Sequence, residues 1–216
     1  VSMGVKAVTS VRREVSIVLF DQFELLDVCG PVEFFGSLPD LFTVTMVGPE
    51  VGPVRSKQGV DVLATQSYLT AHAGDIVMVP GGQGTRTLVN DDEFLSWLAG
   101  FARSVELVTS VCTGSALLAA AGLLDGYRAT SNKFAFGWAS RHGQTVTWIP
   151  QARWVEDRNR WTSSGVTAGM DMTAALIRSL HGDDTADRVA NHIEYSAHRD
   201  PTWDPFAELY GLTDTN

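Results

Sequence analysis

The stretch VELVTSVCTGSALLAAA, residues 105–121, changes character at Cys112. Val105 to Val111 is rich in β-branched and apolar residues, as a strand covered on both faces would be. From Gly114 onward the residues are mostly Ala and Leu, as in a buried helix. Cys112 is therefore placed on an abrupt turn from strand to helix. A side chain there projects from the carboxyl end of a sheet, with the first free amides of the helix beside it. Those donors and the helix dipole are expected to stabilise a thiolate and lower the thiol pKa. The plain alternative is a small buried hydrophobe, which is what most free cysteines are.

On the amino-terminal side, Val15–Phe20 reads as the first strand, followed by a loop from Asp21 to Glu24 and then LLDVCGP, residues 25–31. Pro31 suits the first turn of a helix continuing through Val32, Phe34 and Phe35. Thr43–Val47 reads as a second strand and Val60–Leu63 as part of a hairpin. Asp75–Val79 is a buried strand running into Pro80-Gly81-Gly82-Gln83-Gly84. Phe94, Leu95, Leu98 and Phe101 then recur at helical spacing behind the cap candidates Asp91 and Asp92.

Beyond the central turn, Arg128–Thr130 and Thr145–Trp148 read as short strands around a helix from Lys133 to Ser140. Trp154–Glu156 and Trp161–Ser163 read as a hairpin. Ser164 to Asp171 opens a helix carrying Met172, Leu176, Ile177 and Leu180, and a last helix covers about 184–195. Strands alternating with helices predict an α/β fold. Its sheet is doubly wound and mostly parallel, with right-handed crossovers and helices on both faces. The chain is read as one domain over 1–216, with a core at about 15–195. The tail, 196–216, carries two prolines with Trp203, Phe206 and Tyr210, and must be packed down or disordered.

The balance of 16 Lys+Arg against 25 Asp+Glu leaves a formal charge of -9, which disfavours nucleic acid and anionic membrane as partners. Residues 1–14 show no apolar core of signal-peptide length, and no apolar run is long enough to span a bilayer, so a cytoplasmic protein is expected. The two cysteines, Cys29 and Cys112, form neither a disulfide framework nor a CxxC motif. Histidine spacing offers no metal site, and Gly81-Gly82-Gln83-Gly84 is not a nucleotide-binding fingerprint.

A thiolate needs a proton partner and something to hold developing charge. Asp27 follows the first strand and so shares the carboxyl-end rim with Cys112. Its apolar neighbours Leu25, Leu26, Val28 and Cys29 are expected to raise its pKa, so that it can hold a proton; the plain alternative is a helix-capping aspartate. Gly81 and Gly82 lie on the same rim, where amides free of side chains can approach a substrate and form an anion-stabilising pocket with the amide at or after Cys112. Thr113 can orient a water, or merely start the helix. No histidine has an evident partner role.

Five segments in order, LDVCGP (26–31), VPGGQG (79–84), SVCTGS (110–115), AGLLDGYRAT (121–130) and GVTAGMD (165–171), resemble the ThiJ/PfpI superfamily, the class I glutamine-amidotransferase-like group with a flavodoxin-like fold. An aspartate after the first strand, Gly-Pro following it and Cys-Thr at the turn look like its isocyanide (isonitrile) hydratase branch. The resemblance implies that Cys112 attacks an isocyanide carbon to give a thioimidate, that Asp27 moves protons, and that Thr113 contacts the attacking water. Asn132 stands where many relatives have a histidine, which speaks against a Cys-His mechanism. With Val166 at the opening of the late helix, it is expected at the substrate pocket. The resemblance further implies no cofactor, a small-molecule substrate and a homodimer. Oxidation sensing at Cys112 and glyoxalase- or amidase-like chemistry are the competing activities within the superfamily.

Overall fold

The structure is a computed structural model that describes residues 12–213. The reading of residues 1–14 as free of a signal-type core therefore lies almost wholly outside the described residues, as does the end of the tail. The elements in chain order are β1 (Arg13–Val18), α1 (Leu25–Gly36), β2 (Phe42–Gly48), β3 (Gly52–Arg55), β4 (Asp61–Ala64), β5 (Gln66–Ser67) and β6 (Ile76–Val79). There follow α2 (Thr85–Leu88), α3 (Asp92–Phe101), β7 (Leu107–Ser110), α4 (Gly114–Ala120), β8 (Arg128–Ala129), α5 (Phe136–Ala139) and β9 (Thr147–Trp148). The last are β10 (Trp154–Asp157), β11 (Arg160–Ser163), α6 (Ala168–His181), α7 (Asp183–His192) and α8 (Pro205–Leu209).

Seven strands form one sheet in the order β10-β11-β7-β6-β1-β2-β5. Every pairing in it is parallel except that of β10 with β11. The central strands β6 and β7 are buried at every residue, which is why they read as continuous apolar runs rather than as alternation. Helices α1, α6 and α7 pack together, as do α2, α3 and α4, so the expected doubly wound architecture is present. Because β11, β7, β6 and β1 are parallel neighbours, the loops that leave their carboxyl ends converge on one rim.

Several local expectations are met. Asp91 caps α3 by accepting the Phe94 amide at 3.0 Å, β10 and β11 form the hairpin, and β4 pairs antiparallel with β3 outside the main sheet. The tail is packed down. Pro201 carbonyl accepts the Arg153 amide at 2.9 Å, and Asp204, wholly buried, caps α8 and lies 3.4 Å from the buried Arg153 guanidinium.

Others are corrected. Pro31 is not in a first turn: α1 begins at Leu25, whose amide is accepted by Gln58 Oε1 at 3.1 Å, and the proline lies inside the helix. Having no N–H, it leaves the Asp27 carbonyl without its usual helical donor. The helix expected from Lys133 is only α5. Asn132 Oδ1 accepts the Ala135 amide at 2.9 Å, and the Lys133 ammonium turns inward to Thr130 Oγ1 at 2.8 Å and to the Ala152 carbonyl.

Candidate active site

Cys112 occupies the turn between β7 and α4 with a left-handed backbone, φ +58°. For a residue with a Cβ this conformation costs about 1–2 kcal/mol and needs fixing from outside. Its amide is directed at the Ser163 and Ser164 carbonyls, 3.2 and 3.3 Å away, and its carbonyl accepts the Ser115 and Ser131 hydroxyls at 3.1 and 3.0 Å. The thiol is almost enclosed. Gly165, on the loop after β11, lies so close above it that a Cβ there would be 2.6 Å from Sγ.

Asp27 is in the first turn of α1 and completely buried. Its Oδ2 accepts the Gly81 amide at 2.8 Å, whereas Oδ1 is buried without a hydrogen-bond partner. It therefore does not cap its own helix. Burial pushes its carboxyl well above the usual range, with the Gly81 amide pulling the other way, so the expected proton-holding aspartate is what the environment favours. The Cys112 thiol is close enough to act on this carboxyl, although the contact lacks the geometry of a formed hydrogen bond.

The thiol differs from expectation. Burial first, and the neighbouring Asp27 second, push Cys112 up, against the smaller pull of the Thr113 amide. Low dielectric and like charge outweigh the helix start, because α4 is short and the carboxyl is adjacent. Two acids so placed cannot both ionise, so the pair carries at most one negative charge near neutrality. A thiolate here requires Asp27 to hold the proton.

The Gly81, Gly82 and Cys112 amides, expected to contribute to an anion pocket, have partners within the protein. The Gly81 amide is engaged by Asp27, the Gly82 amide by Thr113 Oγ1 at 3.1 Å, and the Cys112 amide by carbonyls. What the glycines supply is closeness. A Cβ at Gly81 would be 2.6 Å from the Thr113 nitrogen and 2.8 Å from Cys112 Cβ, and one at Gly82, where φ is +128°, would be 2.4 Å from the Gln22 carbonyl. Thr113 Oγ1 also meets the Thr85 hydroxyl at 3.2 Å, so it joins the β6 and β7 loops.

Asn132 and Val166 both reach this rim. The Asn132 Nδ2 side faces Gly165, at 2.5 Å from where its Cβ would be, and Val166 follows Gly165 and is partly buried. The structure thus brings Cys112, Asp27, Thr113, Gly81, Gly82, Asn132 and the Gly165-Val166 loop to one place. Sequence reasoning missed Ser115 and Ser131, which hold the turn, and Arg86, whose guanidinium lies 3.5 Å over the Trp138 ring beside the site. Serines are too common to stand out, and Arg86 follows the glycine loop in a short helix with no periodic signal. A cleft of about 520 Å³ adjoins this rim, lined by Phe20, Tyr68, Leu88, Phe94, Trp97 and Arg86 among others. Among the described residues no cluster of His, Cys, Asp or Glu could hold a metal ion, and no helix is long and apolar enough to cross a membrane.

The DJ-1/PfpI family profile matches residues 13–179. The isonitrile hydratase of Pseudomonas putida is 38% identical over 185 residues, which are 85% of this chain and 78% of that protein. The HTH-type transcriptional regulator GbdR of Pseudomonas aeruginosa is 30% identical over 191 residues, and the match spans about half, 51%, of the regulator's length. Among solved structures, a ThiJ/PfpI family protein from Pseudomonas syringae superposes with a TM-score of 0.77 at 29% identity, covering 91% of this chain and 83% of that one.

Proposed function

Starting from a chain that belongs to the DJ-1/PfpI family, we propose that it is a cysteine-dependent hydratase converting an isocyanide and water to an N-substituted formamide. The observation that carries this reading is the pairing of Cys112, on its left-handed turn, with a buried Asp27 whose Oδ1 has no partner. Similarity to the isonitrile hydratase supports the choice of substrate class.

The reaction closes with the atoms present. In the reactive form the proton resides on Asp27 and the charge on Cys112. Sγ forms a bond to the isocyanide carbon, and Asp27 delivers its proton to that same carbon, giving the thioimidate R–N=CH–S–Cys112. The carboxylate left behind takes a proton from water as its oxygen adds to the carbon; the nitrogen receives the other water proton. The C–S bond then breaks, releasing R–NH–CHO, the thiolate and the reprotonated Asp27. Thr113 Oγ1, already held by the Gly82 amide and near the Thr85 hydroxyl, is placed to orient that water. Asn132 and Val166 border the substrate. Thiol, carboxyl and water supply every atom exchanged, so no cofactor enters this scheme.

The reading includes a homodimer, checked by light scattering, and a reducing, cytoplasmic setting that keeps the thiol free. Its central test incubates the protein and its Cys112→Ala variant with a neutral aryl isocyanide and, separately, with isocyanoacetate, and follows the formamide. Turnover by the unaltered protein alone is expected; equal turnover by the variant, or none by either, rejects the proposal.

A further inference from the structure

Arg86 is the second residue of α2, directly after Thr85, whose hydroxyl meets that of Thr113 beside the nucleophile. Its guanidinium carbon lies 3.5 Å from the centroid of the Trp138 ring. Trp138 belongs to α5, which follows Asn132 on the other flank of the thiol. The stacked pair therefore joins the two segments between which Cys112 sits. Of the two, Arg86 also forms part of the wall of the 520 Å³ cleft.

The guanidinium is unusual for what it lacks. Arg13, Arg153, Arg160 and Arg178, the other partly or fully buried arginines, each donate to a carboxylate or carbonyl. Among the described residues Arg86 donates to none and enters no ion pair, although the chain carries a formal charge of -9. Stacking on an indole fixes its plane and strips water from one face, leaving the donor edges of a planar fork directed elsewhere. Such a fork matches a carboxylate in a two-point contact. Asp21, Asp91 and Glu93 line the same cleft, but all three are exposed and none pairs with Arg86. Thr85, the residue before Arg86, meets Thr113 at 3.2 Å, and Thr113 follows Cys112, so the guanidinium stands on the flank of the nucleophile turn.

We propose that Arg86, held flat on Trp138, receives a carboxylate carried by the substrate, so that the chain selects anionic isocyanides over neutral ones. This rests on the hydratase reading for the word isocyanide, but not for the anion site itself. The matched probes are isocyanoacetate and its neutral methyl ester, together with their hydration products N-formylglycine and N-formylglycine methyl ester.

Two measurements separate the claims. First, binding of the two formyl products is measured by calorimetry on the Cys112→Ala protein with Arg86 intact and with Arg86→Gln. The anion is expected to bind tighter than the ester, with the preference falling at least about ten-fold in the glutamine variant and partly restored by Arg86→Lys. No preference for the anion, no binding of either, or an unchanged preference in Arg86→Gln overturns the proposal. Second, kcat/KM for isocyanoacetate over its ester is compared between the unaltered protein and Arg86→Gln. The ratio is expected to fall by a similar factor, through KM. If the anion preference is present and lost as expected but neither isocyanide is hydrated, Arg86 stands as an anion site and the hydratase reading fails. If both are hydrated at an unchanged ratio, the hydratase reading stands and Arg86 fails.

Discussion

Replacing Asp27 by Asn keeps the shape and an oxygen to accept the Gly81 amide, but removes an ionisable group from a fully buried place. The consequence is a change in how stability depends on pH. Asp27 is raised well above its unfolded value by burial, and one of its two oxygens has no hydrogen bond with which to support a charge. Below the unfolded carboxylate pKa, about 3.9, both states hold the proton and Asp27 contributes no slope. Above it the unfolded chain releases the proton while the folded chain keeps it, so the folded state is progressively penalised as pH rises. The loss is at most about 1.4 kcal/mol per pH unit and stops once pH has passed the folded pKa. Asp27→Asn lacks this term. Urea denaturation from about pH 5 to pH 8 should show the variant gaining on the unaltered protein with increasing pH, while every other group cancels between the two. Catalysis should fall by roughly 10²–10⁴-fold with loss of the proton carrier. Parallel stability curves across this range would refute the argument that Asp27 carries a raised pKa.

Gly165→Ala puts a methyl group 2.6 Å from Cys112 Sγ and 2.5 Å from Asn132 Nδ2, so isocyanide turnover and alkylation of Cys112 should both fall at least about ten-fold while stability drops by about 1–3 kcal/mol. Normal alkylation of Cys112 in that variant would contradict the close cover described. Thr113→Val takes the acceptor from the Gly82 amide and should cost about 1–3 kcal/mol, with Thr113→Ser restoring most of it in denaturant titrations. Arg153→Met strands the buried Asp171 and Asp204 carboxylates, whose guanidinium contacts are 2.6 and 3.4 Å, and should cost about 3–5 kcal/mol. A change below 1 kcal/mol in thermal or urea unfolding would show that the tail is not held by this network.

The parts of the molecule that could be read in advance are those where a single local pattern suffices. β6 and β7 are covered on both faces, so their apolar runs identify them and their order fixes a parallel sheet. Once that sheet is granted, Cys112, Asp27 and the Gly81-Gly82 loop must share a rim, since each follows a strand of the same direction. Hydrogen-bond assignments across that rim were not legible. Gly81 and Gly82 offered amides for an anion, but whether those amides are free depends on Asp27 and Thr113, 54 and 31 positions away in the chain. The direction of the thiol shift failed for the same reason. A helix start is visible in sequence, whereas the competing carboxyl and the depth of burial exist only after folding.

That reversal changes what the active site asks of its two acids. A thiol activated by a helix start alone would be ionised before substrate arrives and would need a separate acid to protonate the product carbon. In the proposed reactive form the charge and the proton are shared within one buried pair, so forming the nucleophile and loading the acid are the same event. The Oδ1 that lacks a partner is then the atom from which the proton can leave, because Oδ2 is occupied by the Gly81 amide. It follows that Gly81, which touches neither thiol nor proton directly, sets which carboxyl oxygen is reactive. A side chain at position 81 would press on the Thr113 nitrogen at 2.6 Å and on Cys112 Cβ at 2.8 Å, and relieving that crowding would disturb the contact of the Gly81 amide with Oδ2. Gly81→Ala should therefore lose hydration more severely than Thr113→Val, although both variants disturb the same junction of the β6 and β7 loops. The comparison of their kcat values, with binding of the formamide product measured alongside, tests whether the amide or the hydroxyl governs proton delivery. Equal losses in the two variants would assign the effect to the junction as a whole and remove the special role given to the Gly81 amide.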